Sequence, residues 1–135
     1  MISARTVHAQ IEIGTWVQQS GQQVGMTLTV EACCGAGGRR LTYRNPGSTE
    51  VAVIVESRMD GTDAPMIIGG KPSGQTMAIT RADTNHATSI VKMQGKVFSK
   101  SKATLSPDGK KLTVENDIPA DVGKPLKQVE VWVKK

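Results

Sequence analysis

Aromatic residues are nearly missing from this chain: Trp16, Tyr43, Phe98 and Trp132 are the whole set, 3% of the residues. Nucleic-acid modules that stack bases need aromatic platforms, so a nucleic-acid partner is not expected. The core must be built from Val, Ile, Leu and Met instead. Cysteine is equally scarce. Cys33 and Cys34 are adjacent and cannot cross-link distant elements, and a bridge between them departs from the geometry a disulfide prefers. The expectation is two reduced thiols beside a turn. No His or Cys cluster surrounds them, so no metal site is expected. There is no transmembrane run and no signal-peptide h-region. G-x-S-x-G, the P-loop and metal-ligand spacings are all missing, and no cofactor is expected.

What is present is rhythm. A chain of 135 residues with 38% hydrophobic and 21% charged residues fits one globular domain with a core of its own. Residues 1–10 read as a flexible lead-in and 11–135 as the domain. Alternating runs predict strands near 11–18, 24–32, 39–44, 50–58, 64–68, 75–81, 86–93, 96–105, 110–116 and 126–134. Between them lie turn residues. Asp60-Gly61 and Asp108-Gly109 are hairpin signals, and Gln94-Gly95 is a weaker one. Gly69 to Gly74 reads as a loop, and Pro119 to Pro125 as a longer connection. No helix is predicted. The fold class is therefore all-β, a single-domain antiparallel up-and-down barrel of about eight to ten strands.

Charge is uneven. Up to residue 67 five arginines face six acids, a net of −1; from residue 68 Arg81 and eleven lysines face six acids, a net of +6. Lys96, Lys100 and Lys102 share one parity of a strand, which is expected to be a solvated face whose lysines discourage edge pairing. A reading in which that face docks an acidic protein competes with it.

Strand parity also proposes an interior. Met26 shares a face with Leu28 and Val30, Tyr43 with Leu41, Met77 with Ile79, and Met93 with Val91. Ser99, Ser101 and Ala103 share another. Small residues on a long inward face leave room, and methionines are adaptable lining. Met26, Tyr43, Met77, Met93, Ser99 and Ser101 are therefore the candidate ligand-binding residues, with Met66 as a further strand methionine.

Gly14-Thr15-Trp16 on the first strand resembles the G-x-W signature of the calycins, the lipocalins and fatty-acid-binding proteins. The resemblance implies a lipocalin-like barrel with Trp16 plugging a closed end and a basic residue packed over it. Lys134, Lys135 and Arg81 are candidates for that part. Met26-Thr27-Leu28-Thr29-Val30, Met59-Asp60-Gly61 with Ala64-Pro65, and the run Leu105 to Val114 extend the resemblance to uncharacterised, often exported bacterial proteins of lipocalin-like fold. The helix pair of fatty-acid-binding proteins and the cysteine staple of secreted lipocalins are both missing, so a bound fatty acid is not implied. Val7-His8-Ala9 has the spacing of a signal-peptidase site, but no apolar segment precedes it. The localisation reads as cytoplasmic as numbered, and exported if an upstream signal segment is missing.

Catalytic candidates are few. His86 follows the turn Asp83-Thr84-Asn85 and suits a rim base, although a surface role is the commoner one for such a residue. Cys34 would need His86 beside it to act as a nucleophile. Glu130 shares parity with Trp132, and facing inward it would be the best acid–base group. The expected function is binding of a small apolar or amphipathic molecule in the barrel. The alternative is a small barrel hydrolase, isomerase or cyclase acting on a hydrophobic substrate in the same cavity. The sequence carries no signal for oligomeric state.

Overall fold

The computed structural model describes residues 12–118 and 126–135. These form ten strands: β1 (Gly14–Ser20), β2 (Thr27–Ala32), β3 (Arg39–Arg44), β4 (Val51–Ser57), β5 (Asp60–Ile68), β6 (Lys71–Asp83), β7 (His86–Met93), β8 (Lys96–Leu105), β9 (Lys111–Ile118) and β10 (Leu126–Lys134). Each strand pairs antiparallel with the next. β10 returns to β1, with Trp16 opposite Lys134 and Gln18 opposite Trp132. The result is a closed up-and-down barrel, which leaves no open sheet edge. Among the described residues there is no helix, and hence none long and apolar enough to cross a membrane. The expected lead-in 1–10 and the connection 119–125 lie outside the described residues.

Turn chemistry explains the tight connections. Gly69 and Gly70 stand at φ 59° and 81°, and Gln94 and Gly95 at 53° and 83°. Two successive positive φ values make the turn whose twist suits a two-residue hairpin. The expected six-residue loop at 69–74 is therefore only two residues long, and β6 begins at Lys71. Asp60-Gly61 is not a hairpin turn either, because it opens β5. The reversal falls one step earlier, at Arg58-Met59. There the Ser57 Oγ accepts the Met59 N–H at 2.9 Å, and Met59 takes φ 63°.

The packed core sits to one side. Trp16, Leu28, Val30, Leu105 and Trp132 are buried together, with Met26, Leu41, Tyr43, Leu112 and Val114 against them. Trp16 is fully buried, and truncating a core side chain of that size costs about 3–5 kcal/mol. Gly14 stands at φ +144°, and a Cβ there would lie 2.8 Å from the Lys134 Cε. The bare glycine lets the lysine stem cross the strand, so that its Nζ sits 5.6 Å from the Trp16 ring centroid. Of the three basic candidates, Lys134 makes this cation–π contact.

On the outer wall Lys100 lies opposite Asp117 and Lys102 opposite Glu115. Opposite charges across a ladder attract. The lysine face is thus part of a mixed-charge wall rather than a single-sign patch.

Candidate functional site

Barrel diameter grows with strand number, and eight strands already give an interior just wide enough for side chains. This barrel has ten strands, and β7 and β8 present Ala87, Ser89, Ser99, Ser101 and Ala103 inward. Small residues in a wide barrel leave a hole. The cavity measures about 390 Å³, within the range of small-molecule sites. Met59, Met66, Met77, Ile79 and Val91 line its β4–β7 side.

Of the residues singled out from parity, Met26, Tyr43, Met77, Ser99 and Ser101 line the cavity. Met93 does not line it. It is the last residue of β7, beyond the pairing shift between Val91 and Lys92, and it is 42% exposed at the rim. Met59 takes a place that parity did not assign, brought inward by the β4–β5 reversal.

One wall of the cavity is polar. Glu130 and Trp132 point inward from β10, and Asn116 from β9. The Ser101 hydroxyl donates to Asn116 Oδ1 at 2.5 Å. Asn116 Nδ2 donates to Glu130 Oε2 at 3.0 Å. Trp132 Nε1 donates to Glu130 Oε1 at 3.0 Å. The donors in this hydrogen-bonded series are all neutral, and Asn116 and Trp132 donate directly to the carboxylate. Among the described residues Glu130 has no ion-pair partner within 4.0 Å. Tyr43 stands edge-on to Trp132, ring centroids 6.2 Å apart. Burial first, and then the negative charge of Glu130, push the Tyr43 phenol well above its ordinary ionisation range, so its hydroxyl stays protonated.

A second carboxylate, Glu12, reaches the opposite end of the same cavity. Its Oε1 accepts from Arg39 Nε at 2.7 Å and from Arg81 Nη2 at 2.6 Å. Arg39 Nη1 also donates to the Gly38 carbonyl at 2.8 Å, and Trp16 Nε1 donates to the Glu12 carbonyl at 3.0 Å. Burial alone would raise the Glu12 carboxyl; hydrogen bonds from Arg81 and Arg39, with Arg81's charge, outweigh it and hold the group below its ordinary value. Glu12 Oε2 is buried and accepts no hydrogen bond among the described residues. The β6–β7 turn closes over this end, because Asn85 Nδ2 donates to the Leu105 carbonyl at 3.0 Å.

His86 sits on that turn, at the cavity rim. Its Nδ1 lies 2.8 Å from Asp83 Oδ1, with side chains 56% and 60% exposed. The hydrogen bond to His86 is the main reason the Asp83 carboxyl is lowered. The expectation of reduced thiols is corrected: Cys33 and Cys34 form a vicinal disulfide. Cys34 stands at φ 65° in the β2–β3 turn. Cys34 therefore has no thiol to offer, it does not line the cavity, and no described hydrogen bond links it to His86. Glu56 lies close to both sulfurs, but bonded sulfurs supply no thiolate for a metal.

Parity reasoning missed Glu12, Arg39 and Asn116. Arg39 shares parity with Leu41 and Tyr43, and Asn116 with Leu112 and Val114, so period two carried that signal. A scan of protein-family models finds none that matches this chain, and a search of curated proteins finds no matching relative.

Proposed function

We propose that the barrel binds one small apolar or amphipathic molecule in its interior. The observation that carries this is the cavity of about 390 Å³, lined by methionine and aliphatic side chains with a few convergent polar groups, the usual make-up of a ligand site. An apolar cavity accepts an apolar guest because filling it adds dispersion contacts at little cost in lost water. Kinship with the lipocalin-like barrels is part of the reading. It is supported by Gly14-Thr15-Trp16, whose glycine makes room for Lys134 over the tryptophan. The test is titration with an apolar fluorescent probe. Saturable binding at one site, reversed by a hydrophobic competitor, is expected. A probe that stays in water at all protein concentrations would refute the reading.

A barrel enzyme is the second reading, favoured by the placement of Glu130 at the cavity wall with only neutral donors around it. A carboxylate has about four lone-pair sites, so capacity remains to take a substrate proton. Turnover across an ester and lactone panel, abolished by Glu130→Gln with the fold intact, would establish it. His86 belongs to this reading only if His86→Ala has the same effect.

A further inference from the structure

We propose that the ligand carries a protonated amine, and that Glu130 is its anchor. The inference rests on the binding reading above and names the chemical class of the ligand. Both described bonds to the carboxylate come from neutral groups, Asn116 and Trp132. Its neighbours orient the charge without cancelling it. Ser101 fixes the Asn116 amide by bonding its oxygen, which leaves the amide N–H turned to Glu130. A negative charge in an apolar cavity with no described counter-ion attracts a cation that brings its own donors. The aromatic rings of Tyr43 and Trp132 flank the same wall, and ring faces favour ammonium groups.

The far end of the cavity already carries a carboxylate of its own, Glu12. Arg39 and Arg81 line it, but both donate to Glu12 Oε1 and Arg39 also donates to Gly38. Among the described residues, Glu12 Oε2 is buried there without a hydrogen-bond partner. An incoming carboxylate would meet the Glu12 carboxylate that the two guanidiniums already share there.

The experiment uses the intact chain and three competitors of equal tail: decylamine, decanol and decanoate, each displacing an apolar fluorescent probe near neutral pH. Decylamine is expected to compete at least tenfold better than decanoate, with decanol between them. Glu130→Gln should bring decylamine down to the level of decanol. Near-UV circular dichroism of Trp16 and Trp132 reports whether that variant keeps its packing. The head-group order in the native protein needs no variant and decides the matter if the variant does not fold. Decanoate competing as well as decylamine would overturn the proposal while the binding reading stands. Failure of all three, with no probe bound, would remove both.

Discussion

Two carboxylates face the same cavity from opposite ends, and they are held in opposite ways. Glu12 is clamped by two guanidiniums; Glu130 is held by an amide and an indole. Burying a charge is expensive unless it is paired. Glu12 satisfies that requirement within the fold, and its cluster ties the segment before β1 to β3 and β6. Glu130 is steadied by hydrogen bonds but not neutralised, which suits a group that waits for something else. The first ties the barrel's own elements together, and in the proposed binding reading the second serves a guest. The packing beside each agrees. Trp16, Leu105 and the β6–β7 turn close the Glu12 end. The Glu130 wall instead faces the small residues of β7 and β8.

The largest expected effect separates the two. Glu12→Gln removes the carboxylate that Arg39 and Arg81 share, and breaking a largely buried pair costs up to about 3 kcal/mol. Glu130→Gln keeps one good acceptor and loses about one hydrogen bond, about 1 kcal/mol. Urea unfolding of both variants checks the ratio, and equal losses would erase the distinction.

Acid sharpens it further. Because the folded protein holds Glu12 below the ordinary value of 4.5, the folded state binds fewer protons there than the unfolded chain does. The associated stability is present above that value and is lost as pH falls through the lower, folded one. Melting temperature should therefore drop below about pH 4.5 in the native protein. The Glu12→Gln variant should lack that part of the decline.

The smallest effect is expected at the vicinal disulfide. Cys33 and Cys34 are bonded on the β2–β3 turn, away from the cavity lining. The bridge closes almost no loop, so it removes little freedom from the unfolded chain. The double serine variant should unfold within about 0.5 kcal/mol of the native protein and bind the apolar probe equally well. A larger loss on either count would assign this turn a role in the site.

Much of the barrel was legible in the residues. Ten alternating runs correspond to ten strands, because period two and turn chemistry are local signals. Parity placed Ser99, Ser101 and Tyr43 inside for the same reason. Boundaries slipped where a turn was tighter than its composition suggested, as at Gly69-Gly70. They slipped also where Asp60-Gly61 entered a strand instead of ending one. The Glu12 clamp was beyond reading, since its partners lie 27 and 69 residues away and only closure of the barrel brings them together. The Cys33–Cys34 bridge was not legible, because adjacency alone does not say whether two cysteines are bonded.

The central claim is that the space beside β8 is the binding site. Ala103 lines that space, and a phenyl group there would fill it at an overpacking cost of about 1–3 kcal/mol. The deciding measurement is the affinity of the apolar probe for the folded Ala103→Phe variant against the native protein. The account predicts a loss of tenfold or more with the barrel still folded by near-UV circular dichroism. Equal affinity in the two proteins would contradict it.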